Sequence, residues 1–210
     1  MHRALIILFS FLLLIVLSAC SSNPKSTEVP SKQLAANILP DNWLITGRIS
    51  LSKEQENWYA KFIWIQKNQD FQLSFTGPLG ETALQISQRG QQVSIKTPSG
   101  ERSGHNLEQM IAQETGLNLP ISSLRYWLQA NPNPNTPAKI TYTEQQQIST
   151  IEQAQWRIQY PKRMLVELAS GGNLLLPKKI VAKKQDTKIK LIITRWQLGE
   201  AVSGENTNAQ

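Results

Sequence analysis

Between Trp43 and Thr76 the chain alternates apolar and polar residues with a period of two, and this limits what it can become. Ile45, Gly47, Ile49 and Leu51 share one register, Trp58, Ala60, Phe62 and Trp64 a second, and Phe71, Leu73 and Phe75 a third. Successive side chains of a strand point to opposite faces, so each run is a strand with one apolar side. One-sided strands suit antiparallel pairing, because parallel sheets are buried on both faces. Leu84 with Ile86 and Val93 with Ile95 continue the meander, and Asn68-Gln69-Asp70, Gly77-Pro78, Arg89-Gly90 and Ser99-Gly100 supply its turns.

The period then becomes helical. Asn106 stands where an N-cap is expected, with Gln109 three residues on; Leu107, Met110 and Ile111 share a face, and Gly116 ends the segment. A second short helix follows Pro120, with Ser122 or Ser123 near its start and Leu124, Trp127 and Leu128 on one side. Residues 131–137 alternate Asn and Pro and read as a surface connection. Strand patterns resume over 139–143, 148–151, 156–160, 165–168, 174–182 and 189–196.

About eleven short strands around two helices predict a mainly β chain with some α: an antiparallel sheet curled into an unclosed barrel, with the helices covering an apolar cavity. A membrane-spanning barrel is the rival. Strands of about five to seven residues are too short for it, since a tilted spanning strand needs about nine to eleven. Lys61, Lys96 and Lys190 would also interrupt a lipid-facing band.

The amino end is a different object. A basic start (His2, Arg3) precedes an apolar run from Ala4 to Leu17, closed by Leu17-Ser18-Ala19-Cys20. This is a secretory signal pattern, and a run of about 14 residues, roughly 21 Å as a helix, falls short of the ~30 Å hydrocarbon core. A thiolate at the cut is the natural nucleophile for attaching a diacylglyceryl group, and Cys20 is the only cysteine of the chain. The box resembles a bacterial lipobox, which implies cleavage before Cys20, a thioether-linked diacylglycerol and an N-acyl chain such as palmitate. Two or three chains, at about 0.8 kcal/mol per buried methylene, hold essentially permanently. In Gram-negative families with this box, Ser21 in place of Asp permits sorting to the outer membrane, on its periplasmic face. Residues 21–31 are too polar to bury anything and read as a tether, and Lys32 to Leu39 has two helical turns' worth of pattern before Pro40. The expected divisions are therefore 1–19 signal peptide, 20–40 lipidated terminus and tether, 41–198 domain and 199–210 disordered polar tail.

The inventory argues against catalysis. After the cut one histidine remains (His105), with three aspartates (Asp41, Asp70, Asp186) and no free thiol, and no GxSxG, HExxH, Walker or GxGxxG pattern occurs. No metal or other cofactor is expected. The formal charge of +7 favours an anionic lipid surface or an acidic partner. Nucleic acid is a poor fit, because apart from Lys178-Lys179 and Lys183-Lys184 the basic residues are scattered.

Gly77-Pro78-Leu79-Gly80 fits a type I turn in which the third residue points outward, where a polar side chain is expected and Leu79 stands instead. Leaving a leucine exposed forgoes about 1.5–3 kcal/mol, so either a neighbour covers it or a partner or membrane uses it. The six tryptophans, Trp43, Trp58, Trp64, Trp127, Trp156 and Trp196, suit a packed core and a lipid-lined cavity equally.

Taken in order, these pieces resemble the outer-membrane lipoprotein receptor LolB family. The resemblance is carried by the Leu-Ser-Ala-Cys box, Trp-Leu-Ile-Thr-Gly-Arg-Ile at 43–49, Tyr-Ala-Lys-Phe-Ile-Trp at 59–64 and Gly77-Pro78-Leu79-Gly80. It continues through Thr115-Gly116-Leu117, Leu119-Pro120, Ser-Leu-Arg-Tyr-Trp-Leu at 123–128 and Leu176-Pro177-Lys178-Lys179, as far as Trp196. It implies an eleven-stranded unclosed barrel with helices inside its mouth. It also implies a transport role: a monomer that is no enzyme takes triacylated lipoprotein cargo from the periplasmic carrier LolA and inserts it into outer-membrane lipid. Leu79, flanked by Pro78 and Gly80, matches the family's membrane-insertion loop. From facing alone, the acyl-chain cavity is expected to include Phe62, Trp64, Phe75, Met110, Ile111, Leu124, Trp127, Leu128 and Leu191. The alternative is a structural outer-membrane lipoprotein with a solid core. The tail beyond Gly199 is longer than the resemblance leads one to expect.

Overall fold

A computed structural model describes residues 27–28 and 39–199, apart from 55, 117, 169 and 170. The lipobox, the helical pattern at 32–39 up to Ile38 and the tail from 200 lie outside the described residues. The strands are β1 (Thr27–Glu28), β2 (Asn42–Lys53), β3 (Glu56–Lys67), β4 (Asp70–Thr76), β5 (Thr82–Arg89), β6 (Gln92–Thr97) and β7 (Gly100–Gly104). Helices α1 (Leu107–Thr115) and α2 (Ile121–Trp127) follow, then β8 (Ala138–Tyr142), β9 (Ile148–Gln153), β10 (Trp156–Glu167), β11 (Asn173–Lys184) and β12 (Thr187–Leu198).

All strands join one antiparallel sheet in the order β1-β8-β9-β10-β11-β12-β2-β3-β4-β5-β6-β7. Two meanders, one on each side of the helices, are joined where β12 pairs along β2 from Thr187↔Lys53 to Leu198↔Trp43. Among the described residues β7 and β1 remain as unjoined edges, so the barrel does not close. The chain crosses from the β7 side to the β8 side through α1 and α2, which places the helices where closure is missing. β1 lies on the outer edge of β8, with Thr27 opposite Ile140 and Glu28 opposite Lys139, so this part of the polar tether is paired rather than free.

The period-two alternation does what it predicts. Along β2 the buried positions include Trp43, Ile45, Ile49 and Leu51, and along β3 they include Ala60, Phe62 and Trp64; all face one common core. Gly47 shares that inner register. An added Cβ there would run into the carbonyl of Ile192 and the ring of Phe62, its partner on β3, so glycine lets the Phe62 ring lie against the β2 backbone. Trp43 stacks near Trp64 and Trp196, at 5.8 and 5.9 Å between ring centroids, where β2 begins.

The helix boundaries also follow the sequence. The Asn106 side chain accepts from the Gln109 N–H at 3.1 Å, and Gly116, at φ 69°, ends α1 with its N–H on the Ala112 carbonyl. α2 starts after Pro120 without a side-chain cap of its own from that residue; Glu108 of α1 takes the role, accepting from the Ser122 N–H at 3.1 Å.

Four expectations change. Five strands are 12 residues long, so strand length does not argue against a spanning barrel. What does is the arrangement of faces: the interior is apolar and the outer face carries Arg48, Lys61 and Lys190, the reverse of a spanning barrel. The segments at 156–160 and 165–168 are one strand, β10, with register shifts between Gln159 and Arg163. Pro161, which has no N–H for the ladder, sits at that irregularity and breaks the pattern without ending the strand. β7 escaped notice because Gly-Glu-Arg-Ser-Gly has no apolar residue to mark a face. Finally, the 131–137 connection is partly buried at Pro132 and Asn133 rather than running over the surface.

Replacing Gly47 by Val should lower stability by about 1–3 kcal/mol, the usual cost of forcing bulk into a packed core. A fall in the urea midpoint with an unchanged slope is the expected reading; an unchanged midpoint would contradict the close packing of Phe62 on Gly47.

Candidate functional site

The inner faces of β2, β3, β4 and β12 form an apolar concavity, and α2 lies in it. Ile121, Leu124 and Leu128 meet Ile49, Phe62, Trp64, Leu73, Phe75 and Leu191 across what would otherwise be a cavity. About 10 Å³ remains between them. That is room for one water at most, so α2 packs closely on this wall. Of the residues expected to line an acyl-chain cavity, Phe62, Trp64, Phe75, Leu124, Leu128 and Leu191 border this space. Met110, Ile111 and Trp127 do not. Met110 is half-buried and its sulfur packs over Gly104, Ile111 is buried in the α1 part of the core, and Trp127 lies 6.1 Å from Trp156. The helical period put Trp127 on the apolar face correctly, but that face is wide enough to touch two different walls.

A polar anchor that the apolar pattern does not reveal stands at the carboxyl end of α2. Gln153, buried at the end of β9, accepts from Trp127 Nε1 at 2.8 Å and from the Asn133 N–H at 2.9 Å. Its Nε2 donates to the carbonyls of Asn133 at 2.9 Å and Thr136 at 2.7 Å. Tyr160 adds a bond from its hydroxyl to the Trp127 carbonyl at 2.9 Å. Burial pushes the Tyr160 phenol well above its ordinary range, so it stays a neutral donor. Neighbouring Arg163 is moved downward by burial, partly offset by Tyr160, while its guanidinium donates to the Ile148 carbonyl at 2.6 Å. The signal was available: Gln153 continues the inward register of Ile151, where an apolar residue is expected.

The remaining contacts of the helical layer with the strands are lighter. Glu114 of α1 accepts from Thr97 at 3.2 Å and lies 3.7 Å from Arg102, whose side chain is exposed, so the pair is long and of little energetic weight. α2 is thus fixed by polar bonds at its carboxyl end and at Ser123, whose hydroxyl accepts from Asn133 Nδ2 at 3.0 Å, and its inner face rests on apolar contacts.

The loop between β4 and β5 has the expected turn. The Gly80 N–H donates to the Gly77 carbonyl at 3.1 Å, Gly80 has φ 90°, and the Gly77 N–H donates to the Glu81 carbonyl at 2.9 Å. Leu79 at its tip is 95% exposed, the most exposed of the large hydrophobic side chains described, and no neighbour covers it. Cys20 lies outside the described residues. His105 is an exposed loop residue with Nδ1 3.2 Å from the Gln91 carbonyl. Among the described residues no three His, Cys, Asp or Glu side chains gather as metal ligands, and no helix is long and apolar enough to cross a membrane.

Comparison with known proteins agrees with this geometry. The family model for outer membrane lipoprotein LolB matches residues 41–196. An outer-membrane lipoprotein LolB from Cellvibrio japonicus is 33% identical over 205 residues, covering 95% of this chain and 99% of its own. The LolB of Nitrosococcus oceani is 28% identical over 207 residues, covering 94% and 98%. A crystal structure of a putative outer membrane lipoprotein-sorting protein domain from Vibrio parahaemolyticus superposes with a TM-score of 0.52 at 7% identity, over 78% of this chain and 87% of that one, which is a likeness of fold.

Gln153→Leu should cost about 3 kcal/mol or more, because it strands several buried polar groups at once. Gln159→Leu, on an exposed position of β10, should stay within about 0.5 kcal/mol. Chemical denaturation of both variants checks this, and equal effects would remove Gln153 as the anchor of α2.

Proposed function

Because the chain belongs to the outer membrane lipoprotein LolB family, we propose that it accepts acylated lipoproteins from the periplasmic carrier LolA and releases them into the outer membrane, to which its own lipidated Cys20 anchors it. The observation that carries this reading is the apolar concavity covered by α2, a short helix that meets its wall through apolar contacts. Its wall is already complementary to hydrocarbon, and Ile121, Leu124 and Leu128 occupy the space that acyl chains need.

The energetics are consistent with exchange. Lifting three such side chains off the wall costs about 1.5–3 kcal/mol each. A chain of about fifteen methylenes recovers roughly 12 kcal/mol on leaving water, at about 0.8 per methylene. The incoming chain reoccupies the apolar surface that α2 gives up, so the displacement is affordable. No nucleotide is required: direction follows if each acceptor holds the chains better than the donor, with the bilayer last. Leu79 serves the final step, entering the bilayer as a short apolar probe on a turn stiffened by Pro78.

A second reading is favoured by one observation. With only about 10 Å³ free between α2 and the wall of β2, β3, β4 and β12, this part of the interior is packed as the core of a structural outer-membrane lipoprotein would be. The test separates the two. A soluble form with Cys20→Ala is mixed with carrier holding a radiolabelled lipoprotein, and the label should move to this protein. Loading should also speed amide exchange across residues 119–128 while β2 and β3 stay protected. Absence of transfer from a competent carrier to the folded protein would leave the structural reading. Leu79→Glu should leave uptake intact and slow release into vesicles by at least about tenfold, since it forgoes leucine burial of about 1.5–3 kcal/mol and adds a charge. Unchanged release would remove Leu79 from the mechanism.

A further inference from the structure

The outer face of the sheet holds a groove of about 330 Å³ next to the Leu79 turn. Arg48, Lys61 and Lys190 line it together with Tyr59, Ile192 and Pro78. Its size is at the lower end of sites that hold small ligands. The register explains how the cations converge: Arg48 on β2 is directly opposite Lys61 on β3 and opposite Ile192 on β12, and Ser50 on β2 is opposite both Tyr59 and Lys190. Lys61 is in turn opposite Thr76, the last residue of β4, from which the chain enters the turn.

This arrangement costs the fold something and returns nothing to it. Like charges directly opposite one another across two strands repel. Among the described residues the ion pairs are Arg102 with Glu114 and Arg157 with Glu152, and none of the three groove cations takes part. The carboxylate of the loop, Glu81, lies by Gly77 at the edge of the groove and forms no ion pair with the three cations. Tyr59 is 59% exposed and Ile192 37%, so the groove mixes unneutralised cations with uncovered apolar and aromatic surface. That mixture matches the membrane interface, where Tyr sits at headgroup depth and long basic side chains reach phosphate.

We propose that this groove seats the phosphate of an anionic phospholipid headgroup of the bilayer that Leu79 enters, so that the turn inserts and the groove binds in one docking event. The proposal rests on the insertion reading of Leu79. Its geometry follows from the chain: Pro78 is a wall of the groove and Leu79 is the next residue, so a leucine buried just below the headgroups leaves the groove at their level. Arg48 can present two parallel N–H groups to a phosphate, and Lys61 and Lys190 supply point charges on either side. The Tyr59 hydroxyl adds a donor.

The test uses the whole mature chain with Cys20→Ala, so that its own acyl chains do not dominate, and measures cosedimentation with two kinds of vesicle. One contains phosphatidylethanolamine and phosphatidylglycerol, the other phosphatidylcholine alone. The triple variant R48Q/K61Q/K190Q should bind the anionic vesicles about a hundredfold more weakly, at about fivefold per cation near the surface, and the neutral ones as before. A control triple, K139Q/K162Q/K178Q, removes the same charge from exposed positions elsewhere and should lose less than about fivefold. Leu79→Glu should weaken binding to both kinds of vesicle. If the groove triple, folded by its denaturation curve, binds anionic vesicles like the parent, the proposal falls; it falls also if the control triple loses as much. If the groove triple keeps vesicle binding but loses transfer from the carrier, the groove serves an acidic protein surface and the lipid assignment is overturned. Failure of the insertion reading is distinct, because then Leu79→Glu binds both kinds of vesicle unchanged.

Discussion

An antiparallel sheet that curls without closing leaves an apolar inner face that its own side chains do not fill, and covering that face is the constraint on which the rest of this structure depends. Here the cover is α2. Its seven residues are too few to be stable alone, so the helix exists because Ile121, Leu124 and Leu128 find partners on β2, β3, β4 and β12. The same contacts exclude water from the concavity. One short helix is therefore both part of the core and the occupant of the space where a ligand would go.

The polar bonds of α2 run to the strands and the segment that follow it, from Trp127 to Gln153 and Tyr160 and from Ser123 to Asn133, rather than to the apolar wall. Gln153 and Tyr160 hold the Trp127 end and the 131–136 segment with bonds of 2.7 to 2.9 Å, and burial makes them costly to break. Toward the other end, the Glu108 bond to the Ser122 N–H joins α2 to α1 rather than to the sheet. Against β2, β3, β4 and β12, α2 makes non-directional apolar contacts of a kind that another apolar group can replace.

Much of this was legible in the sequence, and where it was not the reason is physical. β2, β3 and β4 declare themselves through alternation because one face is buried and the other wet. Asn106 and Gly116 mark α1 because an orphan N–H and a left-handed φ each demand particular residues. β7 offers no such sign, since it is a short exposed edge whose backbone alone is used. The 131–137 segment misleads because Asn and Pro usually signal solvent, whereas Asn133 is bound on both its N–H and its carbonyl by one buried glutamine. Leu79 was the clearest part of the candidate site because the turn geometry forces its side chain outward. The interior was harder: facing could say which residues point inward, but not whether the helices leave a void or fill it.

The filled interior also bears on how such a protein avoids aggregation between tasks. An open concavity lined by Phe62, Trp64, Phe75 and Leu191 would be an exposed apolar patch of the kind that recruits other chains. With α2 seated, that surface is hidden, and Leu79 is left as the outstanding apolar projection on its face of the molecule. A single leucine is too small to drive association with another protein, since burying it yields only about 1.5–3 kcal/mol. It is sufficient at a membrane, where a lipid anchor has already removed the entropic cost of encounter and each further contact adds to an interaction that is held in place. The division is consistent: the large apolar surface is covered by α2, and the small uncovered surface is of the size that an already anchored protein can use.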